Sequence, residues 1–195
     1  MKHCEQESID QIIKMLTLRE RGTIEHSSFA RAAVLVPLFN KEGSCHLLLT
    51  KRTDQVKYHK GEISFPGGMV DEDDLSLENT ALREAFEEIG LKESDVQIIG
   101  ALDDIVTVTE FIVTPFVGLF PYPYPFETNP VEIAELIEVP LSFLLTEENF
   151  NEQEITRVGR RESIYAYQYG EHTIWGATAR ILKQFLDLIT SSKGT

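Results

Sequence analysis

The run Arg83-Glu84-Ala85-Phe86-Glu87-Glu88-Ile89-Gly90-Leu91 constrains this chain more than any other stretch. Leu82, Ala85, Phe86 and Ile89 recur at i, i+3, i+4 and i+7, which predicts a helix with one apolar stripe. Glu84, Glu87 and Glu88 repeat at i, i+3 and i+4, and the expectation is that they lie on the opposite side. Cβ atoms at that spacing are roughly 5–6 Å apart, so three carboxylates gather on one small patch. Gly90 stands where a helix ends in a left-handed residue.

Two readings of that patch compete. Charges opposite an apolar stripe are what any solvated helix face carries, and exposed like charges cost only about 0.2–0.5 kcal/mol per pair. Carboxylates held about 6 Å apart at an effective dielectric near 20 would repel by about 3 kcal/mol per pair, and would need a counter-cation. The residues upstream decide between them. Gly61-Glu62-Ile63-Ser64 is followed by Phe65-Pro66-Gly67-Gly68 and then by the acidic stretch 71–74. Pro66 stiffens the backbone, while Gly67 and Gly68 permit an approach to main chain that a Cβ would block. Hard divalent cations, magnesium above all, take carboxylate oxygens together with substrate phosphates. The stretch 61–91 therefore reads as a site for a metal ion and a phosphate group.

These residues resemble a known family. Gly68, Asp74, Arg83-Glu84, Glu87-Glu88, Gly90 and Leu91 are similar to the Nudix box, G-x5-E-x7-R-E-U-x-E-E-x-G-U. Asp74 stands in place of Glu, eight residues rather than seven separate it from Arg83, and Ala85 replaces a larger aliphatic residue. The extra residue falls before the helix and leaves the glutamate register unchanged, so no role is assigned to Asp74. Further upstream, Leu48-Leu49-Thr50-Lys51-Arg52-Thr53, Lys57, Gly61 and Phe65-Pro66-Gly67-Gly68 resemble the signature of the coenzyme A pyrophosphatase subgroup. Thr53 and Lys57 depart from its Ser or Ala and its Arg. The resemblance spans residues 48–91, with weaker similarity continuing to Pro115 and Trp175-Gly176. It implies an α/β Nudix-type α/β/α sandwich with a mixed β-sheet.

Charge and composition narrow the alternatives. A net charge of −14 opposes nonspecific nucleic-acid binding, which needs a basic face. It does not oppose a phosphate-bearing substrate, because a bound cation inverts the local field. Residues 71–95 hold ten acids against Arg83 and Lys92, a balance of −8. Residues 51–62 hold Lys51, Arg52, Lys57 and Lys60 against Asp54 and Glu62, a balance of +2. A basic segment beside an acidic one suits a substrate with phosphates met by cations at one place and by metal at another, although ordinary surface mixing explains any single lysine equally well. No apolar run approaches the roughly 20 residues that cross a bilayer, and no h-region follows the N-terminus. Cys4 and Cys45 have no metal-ligand spacing and read as thiols of a reducing cytoplasm. The expected location is cytoplasmic, without membrane or nucleic-acid partners.

The remaining chain reads as one domain, residues 1–195, with residues 1–30 a helical extension packed on it. Ser8-Ile9-Asp10-Gln11 resembles a capping box ahead of a helix carrying Ile12, Ile13 and Leu16 and ending at Arg19-Glu20-Arg21-Gly22. Residues 32–39 and 45–50 form a hairpin across Asn40–Ser44. Residues 96–106 and 111–120 are strands, the first interrupted by Asp103 and Asp104. Residues 121–126 form a Pro- and Tyr-rich connector, most simply an extended loop, with a ligand platform or a homodimer contact as alternatives. A short helix at 141–146 precedes a hairpin of 152–157 and 163–169 turning at 159–161, and then a strand at 172–175. Gly176 opens a last helix with Ile181, Leu182, Phe185 and Ile189 inward.

The expected function is metal-dependent hydrolysis of a diphosphate. Glu84 and Glu88 are the principal expected ligands of Mg2+ or Mn2+, with Glu87 third and the Gly68 carbonyl in support. Arg83 orients a glutamate through an ion pair. The general base is one of these glutamates, or Glu132 or Glu135. His59 and His172 are expected to be structural. The subgroup resemblance implies coenzyme A or a derivative as substrate, split to 3',5'-ADP and 4'-phosphopantetheine. Arg52, Lys57, Lys60, Gly67 and Gly68 would then face the phosphates. The alternatives are hydrolysis of another nucleoside diphosphate, such as ADP-ribose or NADH, and a noncatalytic nucleotide sensor, which the intact glutamates disfavour.

Overall fold

The computed structural model describes residues 2–26, 28–56, 59–157 and 160–191. Its centre is a strand buried on both faces, β1 (Ala30–Lys41). Alternate side chains of β1 serve two cores, with Ala33, Leu35 and Phe39 on one face and Ala32, Val36 and Leu38 on the other. Such alternation is what the period-two geometry of a strand between two layers requires.

The strands after it are β2 (Ser44–Arg52), β3 (Ile63–Ser64), β4 (Gly67–Met69), β5 (Gln97–Ala101), β6 (Ile105–Val106), β7 (Phe111–Leu119) and β8 (Ile133–Pro140). They form one eight-stranded mixed sheet with central order β3-β2-β1-β7-β5; β4 pairs β1, β6 pairs β7 and β8 pairs β2. β1 lies parallel to β7 and antiparallel to β2. The β1–β2 hairpin turns on Glu42 and Gly43, both at positive φ, so its loop is tighter than the sequence suggests. The strands β9 (Phe150–Arg157), β10 (Arg160–Tyr169) and β11 (His172–Trp175) form a second antiparallel sheet. The predicted turn residue Gly159 lies outside the described residues.

Helix α2 (Leu77–Ile89) covers one face of the main sheet. The other face is covered by α1 (Lys2–Leu18), α3 (Leu141–Leu144), α4 (Gly176–Thr190) and the small sheet, through Ile12, Leu16, Leu141, Tyr167, Ile174, Leu182 and Phe185. The expected α/β/α arrangement with a mixed sheet is present, with the small sheet as an addition to its second layer. None of the described helices is long and apolar enough to cross a membrane.

Four local expectations need correction. α1 begins at Lys2, so Ser8 lies inside the helix and does not cap it. Residues 133–140 form a full strand on the free side of β2, where no strand was expected. In α4 the fourth inward residue is Leu186, while Ile189 is only half-buried. In α2 the inward row is Ala81, Leu82, Ala85 and Ile89, and Phe86 is 53% exposed. Ala81 and Ala85 have no bulk, so the helix sinks along them against β1 and β4 and turns Phe86 outward.

The 19–31 segment is tied down by charges that the sequence did not reveal. Asp104, with a fully buried side chain, accepts from Arg21 at 3.1 Å, Arg31 at 3.2 Å, the Ile24 amide at 3.0 Å and the Thr114 hydroxyl at 2.6 Å. Asp103 pairs with Arg19 and accepts from the Gly22 amide. The two aspartates that interrupt the strand are therefore anchors for the N-terminal segment.

Candidate active site

The site lies where α2 crosses β4 and the end of β2. Ser76 caps α2, its side chain accepting from the Asn79 amide, and Gly90 ends it at φ 70°. The helix crosses the Gly67-Gly68 strand closely because no Cβ intervenes. A Cβ built on Gly68 would lie 2.5 Å from Glu84 Oε1. Gly67 sits at φ 154°, and a Cβ there would lie 2.6 Å from the Val34 Cα. The paired glycines thus place main chain directly against a helix carboxylate.

The three glutamates do not share one solvated face. Glu88 lies on the buried side and is 3% exposed, Glu84 has a side-chain exposure of 19%, and Glu87 one of 54%. This corrects the expected opposition of acids and apolar stripe: Ala81, Ala85 and Glu88 fall at i, i+4 and i+7, so the inward row itself includes an acid. Glu88 accepts from Arg52 Nη1 at 3.1 Å and from the Gly67 amide at 3.3 Å. Burial nevertheless pushes its carboxyl up to about 8, with Glu84 and Glu132 adding to the rise against the pull of Arg52 and the amide. Burial likewise raises Glu84, opposed by Arg83 and reinforced by Glu87 and Glu132.

Arg83 is the hub on the outer side. Its Nε and Nη2 donate to the two oxygens of Asp74 at 2.9 Å each, while Nη1 donates to Glu84 at 2.9 Å and Glu87 at 3.3 Å. Nη2 also reaches the Met69 carbonyl at 3.1 Å. The bidentate partner is therefore Asp74, which also accepts from the Thr80 hydroxyl and the Asp71 amide. Arg83 holds the Asp74 carboxyl well below the usual range.

Arg52 is the hub on the inner side. Besides Glu88, its Nη2 lies 3.6 Å from Glu132. Among the described residues its buried Nε has no hydrogen-bond partner, an omission that costs about 1–3 kcal/mol. Glu132 arrives on the 127–132 loop, which is stitched to the end of α2 by the Glu127 amide to the Ile89 carbonyl and the Asn129 amide to the Glu88 carbonyl. The Asn129 side-chain amide then donates to Glu132 at 3.1 Å. Glu135 points elsewhere, toward His172 at 3.4 Å and Lys51 at 3.9 Å. His59 pairs with Glu62 at 2.8 Å. Lys60 is exposed and makes no ion pair among the described residues, and Lys57 lies outside them.

Five acids (Asp74, Glu84, Glu87, Glu88 and Glu132) thus surround two guanidiniums (Arg52 and Arg83), leaving three negative charges if all are ionised. Among the described residues no three acid, His or Cys side chains converge closely enough to hold an ion as they stand. Arg83 stands between Glu84 and Glu87, and Arg52 stands against Glu88. The donor chemistry and charge deficit fit a hard divalent cation, which side-chain rotation of Glu84 and Glu87 would admit. Of the groups gathered here, Asp74 and Glu132 carried the weakest sequence signals: Asp74 departs from the residue type and spacing of the motif it resembles, and Glu132 meets Arg52 from far along the chain.

The NUDIX domain family model matches residues 29–158. The chain is 40% identical over 153 residues to a Nudix hydrolase NudL of Photorhabdus laumondii subsp. laumondii, covering 78% of this chain and 81% of that protein. It is 39% identical over 160 residues to a Nudix hydrolase NudL of Yersinia pestis (strain Pestoides F), covering 82% and 80%. In fold it is similar to the MutT protein from Methanosarcina mazei Go1, at TM-score 0.53 and 19% identity, covering 91% of this chain and 99% of that one. It is also similar to a MutT/nudix family protein from Enterococcus faecalis, at TM-score 0.52 and 20% identity, covering 94% and 70%.

Proposed function

This chain belongs to the Nudix hydrolase family, and we propose that it is a divalent-metal-dependent diphosphatase acting on coenzyme A or its derivatives, releasing 3',5'-ADP and 4'-phosphopantetheine. One observation carries the reading. Arg52 comes from the upstream signature and Gly67 from the Phe-Pro-Gly-Gly turn, and both bond to Glu88 of the acidic helix. Three separate sequence segments are thereby joined at one carboxylate.

In this reading Glu84, Glu87 and Glu88 hold Mg2+ or Mn2+, with the Gly68 carbonyl in support. The ion, when bound, neutralises phosphoryl oxygens and lowers the pKa of water. Arg83, itself clamped by Asp74, holds Glu84 and Glu87 until they turn to the ion. In the hydrolysis, the water oxygen bonds to one phosphorus, the bridging P–O bond breaks with its electron pair going to the departing phosphate, and a carboxylate takes the proton. Glu132 is better placed than Glu135 for that proton, because it faces Glu88 and Arg52 while Glu135 faces His172 and Lys51. Arg52 would meet phosphate oxygens, and the Gly67 amide, which Glu88 now occupies, would join it beside Gly68 once the ion takes Glu88; Lys60 would serve another phosphate.

Turnover of coenzyme A, ADP-ribose and NADH with Mg2+ or Mn2+, with products identified by mass, tests the assignment. Coenzyme A giving the two named products with the highest kcat/KM supports it. A preference for ADP-ribose or NADH moves the substrate elsewhere within the family, and tight binding without hydrolysis of any of the three replaces the enzyme by a sensor.

A further inference from the structure

Arg52 is held in a way that its own hydrogen bonds do not fully explain. Its main chain is fixed on both sides: its amide donates to the Glu62 carbonyl at 2.9 Å, and the next amide, of Thr53, donates to the Glu132 carbonyl at 2.8 Å. The Thr53 hydroxyl locks the same junction onto the Val131 carbonyl. The β2–β8 register shifts between Lys51 and Arg52, a bulge of the kind that re-aims a side chain. The side chain so aimed spends Nη1 on Glu88 and reaches Glu132 only at 3.6 Å, while its buried Nε finds no acceptor among the described residues. A guanidinium satisfied along its Nε–Nη2 edge would face a two-oxygen acceptor, as phosphate provides.

Resting on the diphosphatase reading above, we propose that Arg52 is an exchangeable cation: it neutralises Glu88 and Glu132 until a divalent ion takes Glu88, and then turns its Nε–Nη2 edge to the substrate's diphosphate. The rigid main chain at 52–53 confines the exchange to side-chain torsions. Glu88 is so deeply buried that its charged form needs a cation beside it, so the arginine and the metal ion alternate as the partner of the carboxylate. Thermodynamic linkage follows. Whatever stabilises the Arg52–Glu88 pair weakens metal binding in the absence of substrate, and a diphosphate that draws Arg52 away strengthens it.

The consequence has an unusual sign, because removing a residue of the site should tighten its metal. Mn2+ binding to the full chain without substrate, measured by calorimetry, is compared for wild type, Arg52→Gln, Arg52→Lys and Glu88→Gln, beside KM and kcat for coenzyme A. Arg52→Gln is expected to bind Mn2+ roughly three- to tenfold more tightly, the order left when a unit charge a few ångströms away is removed and solvent screens most of it. Arg52→Lys keeps the charge and should stay within about twofold, and Arg52→Gln should raise KM about tenfold. Unchanged or weaker Mn2+ binding in Arg52→Gln overturns the exchange. Should that variant fail to fold, the wild-type Arg52 Nε–H resonance, assigned by its loss in Arg52→Lys, decides instead. A downfield shift with Mg2+ and methylenediphosphonate supports exchange, and an unmoved signal overturns it. Wild type that binds Mn2+ no better than Glu88→Gln sinks the metal reading itself. Binding lost in Glu88→Gln but not tightened in Arg52→Gln sinks the exchange alone.

Discussion

Gly68 faces the Glu84 carboxylate with no space for a methyl group between them, since a Cβ at position 68 would fall 2.5 Å from one oxygen and 2.6 Å from the other. Gly68→Ala must therefore push Glu84 out of line. Displacement of a positioning group by about 1 Å costs roughly a hundredfold in rate. The expected result is a kcat loss of that order with an unfolding midpoint close to wild type, checked by steady-state kinetics and a thermal melt.

Arg83 and Asp74 form the clamp behind the outer glutamates. Asp74→Asn should cost about 1–3 kcal/mol at neutral pH, because a charged two-point contact is lost at a carboxylate only 2% exposed. The pH dependence has a definite sign. Arg83 depresses the folded-state pKa of Asp74 below its ordinary value of 3.8, so its contribution is complete above that value and is lost as pH falls through the depressed one. In urea titrations the gap between wild type and Asp74→Asn should hold constant above about pH 5 and narrow only in acid below about pH 4.

Glu88→Gln separates function from folding. The substitution removes a carboxylate whose burial is opposed by solvation, so in EDTA the variant should melt at or above the wild-type temperature. Added Mn2+ should raise the wild-type midpoint by mass action and leave the variant unchanged. Turnover should fall below detection. A variant that still gains stability from Mn2+ would remove Glu88 from the ligand set.

Asp104→Asn tests the anchoring of the 19–31 segment. Two guanidiniums, a main-chain amide and a hydroxyl meet at this buried carboxylate, and its neutralisation should cost about 2–4 kcal/mol. Because this cluster and the Glu88–Arg52 pair share no partner among these contacts, KM for substrate below the melting temperature should not change.

Spacing and residue type carried a good part of this molecule. The hairpin at Glu42-Gly43, the acidic helix with Gly90 at its end, and the strands broken at Asp103-Asp104 follow from local chemistry that one segment contains. Position on a helix wheel misled where bulk decided: Phe86 looked like a core residue, but the small Ala81 and Ala85 set the buried face and brought Glu88 inward with them. Residues 133–140 alternate too weakly to announce a strand, and β2 recruits them through main-chain pairing. Asp74 enters the site through Arg83, nine residues on, at a spacing that departs from the motif, while Glu132 enters through Arg52, a partner that assembly of the sheet brings to it.

Diffraction from a crystal soaked in MnCl2, recorded at the manganese absorption edge, addresses the central claim most directly. The account predicts an anomalous peak bound by oxygens of Glu84 and Glu88, with Glu87 and the Gly68 carbonyl beside it. Strong peaks elsewhere on the molecule, with Glu84 still held by Arg83 and Glu88 still held by Arg52, would contradict it.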